Sequence, residues 1–156
     1  MTLLLVVGLD QISKMYVSSV MSLHASHPVI DGFFNITYVR NPGAAFGFLS
    51  NAAPVFRSLF LIAVSAAAVV MILYFLAKNR SAAMLLTFSL SLIVGGAVGN
   101  LIDRIRFGNV VDFLDFYVAS YHWPAFNAAD SAISVGAVLL ILQMFKRETR
   151  ITSAVE

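Results

Sequence analysis

The sequence contains no cysteine, and only 12% of its 156 residues carry a charge. Without cysteine there is no disulfide, no thiolate nucleophile and no cysteine-ligated metal. The apolar fraction is 60%, whereas soluble domains are roughly 45–50% apolar and about 25% charged. A soluble domain of this length cannot bury so much apolar surface, which excludes a soluble enzyme, a disordered protein and a nucleic-acid-binding protein. The composition therefore predicts a membrane protein with one domain over residues 1–156.

The sequence also lacks the motifs of several protease and hydrolase classes. Its histidines are His24, His27 and His122, and the zinc-binding motif H-E-x-x-H does not occur. The serine motif G-x-S-x-G and the G-x-G-D motif of presenilin-like proteases are absent as well. These absences argue against zinc and serine hydrolases, and any hydrolytic chemistry has to come from other side chains.

Long uncharged segments predict four membrane-spanning helices, because a span needs about 20 mostly apolar residues. An N-terminal signal peptide is the alternative for the first segment, but Asp10 interrupts its apolar run and no basic n-region precedes it. The fourth apolar run starts only after Asp130, so either its helix begins before that carboxylate or the bilayer is thinner there. The predicted spans are 3–20, 56–77, 81–102 and 128–146.

Basic residues orient these spans through the positive-inside rule. One group joins the second and third spans and another follows the fourth span: Lys78 and Arg80, then Lys146, Arg147 and Arg150. Both groups are expected in the cytosol, together with both chain termini. The connections 21–55 and 103–130 are then extracytoplasmic. Four arginines fall on that outer side, against the rule, and need another explanation: Arg40, Arg57, Arg104 and Arg106.

The two outer connections contain β-branched and aromatic stretches at residues 32–39 and 107–117. Such stretches predict a small sheet resting on the outer membrane surface. The fold class predicted from the sequence is therefore an all-α polytopic membrane protein. It has four transmembrane helices, a small extracytoplasmic β-sheet, and a loop or short helix at the membrane surface.

Five of the eight carboxylates are predicted in or beside the outer half of the membrane, where an ionisable group is a functional hypothesis by default. They are Asp10, Asp103, Asp112, Asp115 and Asp130. Asp10 and Lys14 are four residues apart on a helix, so we expect a neutralising ion pair there rather than direct chemistry. Arg104, at the end of the third span, has a planar fork that could anchor a substrate carbonyl or a lipid phosphate.

Asp112 and Asp130 are the predicted catalytic pair. Asp112 lies in the second strand-like stretch and Asp130 opens the fourth span. In a regular strand Asp112 and Asp115 point to opposite faces, so at most one of them faces a given pocket. Two close carboxyls share one proton: the ionised one acts as a general base on water, and the protonated one polarises the scissile carbonyl.

Two other functions remain open on these residues alone. A small transporter or proton-coupled efflux subunit would also use carboxylates within the membrane, although it would need one near mid-bilayer. The second and third spans carry no charge through their centres. A non-catalytic membrane chaperone or binding module would not need two converging aspartates.

Five sequence blocks stand out along the chain: DQISK at 10–14, NPGAAF at 41–46, GGAVGNLIDR at 95–104, VVDF at 110–113 and FNAAD at 126–130. In order and in spacing they resemble those of the bacterial lipoprotein signal peptidases, also called signal peptidase II. The resemblance covers nearly the whole chain, and the departures are small: Pro42 and Gly47 stand where the family often has Thr and Ser.

This resemblance implies an aspartic endopeptidase of the bacterial cytoplasmic (inner) membrane, with its active site toward the outer leaflet. It would remove the signal peptide of a diacylglyceryl-modified prolipoprotein, cleaving just before the lipidated Cys. It would need neither a metal nor another cofactor, contact membrane lipids, be inhibited by globomycin-like peptides, and act as a monomer. The family's catalytic pair falls on Asp112 and Asp130. Its other motif residues imply substrate-binding or site-organising roles for Asp10, Lys14, Asn41, Gly43, Asn100, Asp103, Arg104 and Asn127.

The residues in these blocks also suggest individual roles. Asn41, Asn100 and Asn127 each offer two hydrogen-bond donors and one acceptor, with which they could hold a peptide backbone or the aspartates. Gly95, Gly96 and Gly99 allow close approach of helices within a membrane. Trp123 and Phe126 are typical of an aromatic belt at the membrane interface. The alternative interpretation is that they form a wall of the substrate site.

Overall fold

The structure is a computed structural model that describes residues 1–43 and 53–152, with side chains described up to residue 145. Within these residues the chain forms four helices that are long and apolar enough to cross a membrane. They are α1 (Thr2–Val20), α2 (Pro54–Lys78), α3 (Met84–Phe107) and α4 (Ala128–Thr152). The end of the NPGAAF block and Gly47 lie outside the described residues, as do the basic side chains after the fourth span.

A small antiparallel sheet of four strands lies at one end of the helical bundle, so the predicted fold class is confirmed. The strands, in their order across the sheet, are β1 (Ser26–Ile30), β2 (Phe34–Asn41), β3 (Val110–Val118) and β4 (Tyr121–His122). The central strands β2 and β3 correspond to the two strand-like stretches of the sequence. The outer strands were not predicted from the sequence. The reason for β1 is that it contains Pro28, which argues against a central strand and is tolerated at a sheet edge, and the reason for β4 is that it has only two residues.

The third helix extends further than the predicted span 81–102. It continues to Phe107, so Asp103 and Arg104, which were assigned to the outer connection, lie in its last turns. Charged residues end an apolar run but not a helix, since basic side chains near the C-terminus interact favourably with the helix dipole. The helix ends at Gly108, whose φ of 72° and N–H bond to the carbonyl of Arg104 (2.9 Å) form a left-handed C-cap.

The third helix lies at the centre of the fold, because α1, α2, α4 and β3 all pack against it. Its backbone packs tightly against α4 at Gly96, where a Cβ would collide with the carbonyl of Ala129. A buried cluster attaches the sheet to α1, and it consists of Val17, Tyr38, Val111 and Phe113. This packing brings the start of β3 and the start of α4 together, and the candidate site lies there.

Candidate active site

Asp112 lies on β3 and is almost completely buried, with 2% of its surface exposed. Each of its oxygens accepts a hydrogen bond from an asparagine amide. Asn41 on the neighbouring strand β2 donates to Oδ2 (3.0 Å), and Asn127 donates to Oδ1 (2.7 Å). Both carboxylate oxygens are therefore held in fixed directions by donors from two different parts of the chain.

Burial raises the pKa of Asp112 to about 7, well above its usual value of 3.8. The hydrogen bonds from Asn41 and Asn127 oppose this rise in pKa, because they favour the ionised carboxylate, and so does the charge of Lys14. The charge of Asp130 raises the pKa further. A carboxyl with a pKa near neutrality can both accept and release a proton at physiological pH.

Asp130 lies in the first turn of α4 and is half-buried. Its Oδ1 accepts a hydrogen bond of 2.7 Å from Nδ2 of Asn100 on α3. Its backbone N–H donates to Oδ1 of Asn127, three residues earlier (2.9 Å), which is the geometry of a helix N-cap. The N-terminal turn of a helix favours a negative charge, so the position suits a carboxylate.

Asn127 connects the two aspartates and is completely buried. Its Nδ2 donates to Asp112 (2.7 Å), to the carbonyl of Val111 (3.2 Å) and to Oδ1 of Asn100 (3.2 Å), while its Oδ1 holds the backbone of Asp130. One amide group therefore sets the direction of Asp112 and the start of the helix that carries Asp130. Its loss would change both carboxylates at once.

A buried ion-pair network lies behind the asparagines. Nζ of Lys14, 3% exposed, lies 2.9 Å from Oδ2 of Asp10 and 3.1 Å from Oδ2 of Asp103, and donates to Oδ1 of Asn100 (2.8 Å). The pairing of Asp10 with Lys14 expected from their spacing is thus present. All three ammonium hydrogens have acceptors, so this lysine holds Asn100, which in turn holds Asp130.

The two carboxylates of this network also anchor the backbone next to the candidate catalytic pair. Oδ1 of Asp10 accepts the N–H of Ala129 (2.9 Å), the residue before Asp130. Oδ2 of Asp103 accepts the N–H of Val111 (3.1 Å), the residue before Asp112. Asp10 therefore holds the backbone just before Asp130, and Asp103 holds the backbone just before Asp112.

Asp112 and Asp130 both line a cavity of about 490 Å³. Its polar end also includes Asn41, Gly43, Asn100 and Arg104. Nη2 of Arg104 reaches the carbonyl of Gly43 at 3.4 Å, and the N–H of Gly43 donates to Oδ1 of Asn41 (3.0 Å). The rest of the wall is largely apolar and comes from residues 123–126, which include Trp123 and Phe126, and from the first turns of α4.

Asp115 lies apart from this cavity, although it is only three residues from Asp112. Its carboxylate accepts a hydrogen bond from Nδ2 of Asn35 (3.0 Å) and pairs with Nδ1 of His122 (2.8 Å). Across the part of the chain that the structure describes, no three carboxylate or imidazole groups are placed to share a metal ion.

Comparison with known proteins indicates which family the chain belongs to. The sequence model of signal peptidase (SPase) II matches residues 2–146. The chain is similar to the lipoprotein signal peptidase of Syntrophus aciditrophicus (strain SB), with 56% identity over 92% of this chain and 89% of that protein. It is also similar to the lipoprotein signal peptidase of Geobacter sulfurreducens, with 51% identity over 91% of this chain and 88% of that protein.

The chain belongs to the signal peptidase II family. The predicted family and the prediction of a protease are confirmed, which removes the transporter and chaperone alternatives. A bacterial membrane enzyme solved by the in meso method at 2.3 Å resolution has a TM-score of 0.86 and 34% identity, covering 96% of this chain and 88% of that chain. A second such structure, at 1.9 Å resolution, has a TM-score of 0.83 and 32% identity, covering 93% and 90%.

Gln11 is a polar member of this candidate site that was not predicted from the sequence. Nε2 of Gln11 lies within hydrogen-bond distance of Asp10 (3.1 Å), of Asp103 (3.0 Å) and of the carbonyl of Gly99 (3.1 Å). An amide inside an apolar span was the available signal. Gly99, expected to allow close approach, does so at this point, because a Cβ there would lie 2.5 Å from Oδ2 of Asp10.

Proposed function

We propose that the chain is an aspartic endopeptidase that removes the signal peptide from diacylglyceryl-modified prolipoproteins, cleaving just before the lipidated Cys. The observation that carries this proposal is the convergence of Asp112 and Asp130 on one cavity. They come from two different elements, strand β3 and helix α4, and buried Asn127 bonds to both.

The proposed reaction uses one proton shared between the two carboxyls. Two neighbouring carboxyls in a low dielectric do not both ionise readily, and burial together with the charge of Asp130 raises the pKa of Asp112 to about 7, which favours one shared proton near neutral pH. The ionised carboxylate takes a proton from the attacking water. The protonated carboxyl polarises the scissile carbonyl and then protonates the departing amine. Asn41 and Asn127 hold Asp112 in the direction that this requires.

The cavity suits a substrate that is part peptide and part lipid. Its polar end offers Arg104, Asn41 and the backbone of Gly43 to an extended peptide, and Arg104 is already aimed at the Gly43 carbonyl. Its apolar wall includes Trp123 and Ile133, which suit the apolar side chains of a signal peptide and the adjoining acyl chains.

We also propose where the protein lies in the cell and what binds to it. The turn between α2 and α3 carries Lys78 and Arg80, and the sheet and the cavity lie at the opposite end of the bundle. The positive-inside rule then assigns that turn and both termini to the cytosol, and the active site to the outer leaflet of the bacterial inner membrane. We expect a monomer that globomycin-like cyclic peptides inhibit by occupying the same cavity.

Cleavage of a diacylglyceryl-prolipoprotein by the purified protein tests the catalytic pair. Asp112→Asn and Asp130→Asn are each expected to lower kcat at least about 10³-fold, because general acid–base groups contribute about 10²–10⁴-fold each. The matched control is Asp115→Asn, which changes a carboxylate of the same strand outside the cavity and is expected to retain most of the activity. Full activity in either pair variant, or a greater loss in the control, would refute the assignment.

A further inference from the structure

A second, smaller cavity of about 200 Å³ lies between α1, the end of α3 and the sheet. It shares no lining residue with the catalytic cavity. Its lining contains three cationic side chains, Lys14, Arg40 and Arg106, but only one carboxylate, Asp103. The cavity therefore has an excess of positive charge at the end of the bundle where the sheet lies.

The charge of Lys14 is already accounted for by its two carboxylate partners. The two arginines differ from it, because among the residues that the structure describes no carboxylate lies within ion-pair distance of either. Instead, their guanidinium carbons lie 4.7 Å (Arg40) and 4.9 Å (Arg106) from the centre of the Phe107 ring. Both guanidinium groups therefore lie beside the same aromatic ring and line the same cavity, where a bound anion would stabilise their like charges.

Helix-end electrostatics do not explain both arginines. Arg106 lies in the last turn of α3, where the dipole favours a cation. Arg40 lies on β2, where two of its nitrogens are bound, Nε by the hydroxyl of Tyr38 (2.9 Å) and Nη1 by Asn109 (3.2 Å). These bonds fix the guanidinium in place, half-buried, beside the cavity, and planar guanidinium groups match phosphate oxygens well.

The surroundings of the cavity are those of a membrane lipid. Met15 lines it and is 53% exposed, and Ile105 on the neighbouring helix is 65% exposed. Both belong to helices that are long and apolar enough to span a membrane, so we expect their exposed apolar surfaces to contact lipid. Pockets that enclose a small molecule measure about 300–1,000 Å³, so this smaller space suits a headgroup whose chains stay in the bilayer.

We propose that this cavity binds the phosphate of an anionic phospholipid headgroup, with Arg40 and Arg106 as its ligands. The bound lipid is separate from the proposed substrate, because a diacylglyceryl thioether carries no phosphate. A lipid here would lie against α1, α3 and β2 together and hold the sheet to the bundle. It would also explain two of the arginines that lie on the outer side against the positive-inside rule.

The test titrates the purified full-length chain, in neutral detergent micelles, with phosphatidylglycerol. Bound lipids are counted by native mass spectrometry, and the unfolding midpoint gives an independent reading, because a ligand of the folded state raises it. The variant is Arg106→Gln, chosen because the side chain of Arg106 is exposed. The matched control is Arg80→Gln, an exposed arginine in the turn at the opposite end of the bundle. Neither readout uses peptidase activity, so the test stands apart from the proposed function.

We expect one phosphatidylglycerol to bind with an apparent Kd that rises at least about tenfold in Arg106→Gln and less than about twofold in Arg80→Gln. Arg106→Lys, which keeps the charge but loses the planar fork, should lie between them. Diacylglycerol, which has no phosphate, should show no dependence on Arg106. Equal weakening in both glutamine variants, or none in Arg106→Gln, would overturn the proposal. Inorganic phosphate binding as tightly as the lipid would overturn the lipid assignment.

Discussion

Replacing Asp112 with Asn should remove the part of the pH dependence of stability that comes from the raised pKa of this carboxyl. The folded-state pKa of Asp112 is about 7, against an ordinary value of 3.8. Because the folded state holds this proton more tightly than the unfolded state, ionisation favours unfolding. The stabilisation is complete below about pH 4 and is lost as the pH rises through about 7.

The size of this effect follows from the pKa difference. Roughly three pH units at about 1.36 kcal/mol each correspond to about 4 kcal/mol, of which about 3 kcal/mol falls between about pH 5 and about pH 8.5. For a chain of this length each kcal/mol is worth about 2–4 °C in the unfolding midpoint. The midpoint in detergent micelles should therefore drop by about 6–12 °C between these pH values, and Asp112→Asn should abolish most of that drop.

The matched control is Asp31→Asn, which changes an exposed carboxylate in the turn between β1 and β2. It should leave the pH dependence as it is in the unchanged protein. The reasoning is refuted if Asp112→Asn and the unchanged protein lose the same number of degrees over this pH range. A further expectation is that the Asp112→Asn protein is the more stable of the two at the higher pH, because it no longer buries an ionised carboxylate.

Two other substitutions test the packing and charge that support the site. Gly99→Ala should destabilise the chain by about 1–3 kcal/mol, because the new Cβ would lie 2.5 Å from Oδ2 of Asp10. Gly8→Ala, with no atom within 4 Å of its Cβ, should instead be neutral or stabilising, and similar unfolding midpoints for the two would contradict this account. Lys14→Met should cost about 3–5 kcal/mol, since it leaves Asp10 and Asp103 buried without their cation. A double variant Lys14→Met with Asp10→Asn should recover part of that loss, and no recovery would show that the lysine acts in another way.

Much of this protein can be predicted from the sequence because the determining patterns are local. The uncharged runs require helices of spanning length, since no other backbone conformation satisfies its own hydrogen bonds in lipid. The four-residue spacing of Asp10 and Lys14 predicts their pairing, because that spacing places both on one helix face. The scarcity of carboxylates makes Asp112 and Asp130 stand out as candidates.

The boundaries and partners that the sequence did not determine depend on contacts between distant segments. The third helix continues past its apolar run because Gly108, rather than the charge of Asp103, ends it. The N–H of Ala129 bonds to Asp10, 119 residues away, and no periodicity in either segment points to that partner. Gln11 reaches two carboxylates through the same packing.

The sequence by itself determined the membrane, the spanning helices and the identity of the candidate catalytic residues, because chain length, apolar runs and residue spacing are written in the order of residues. Tertiary structure alone decided what each polar side chain bonds to. Only the packing of α3 against α1 and α4 places Asn100 and Asn127 between the aspartates, with Lys14 behind them. Buried polar groups must find partners wherever the packed chain offers them, and that choice is made in three dimensions.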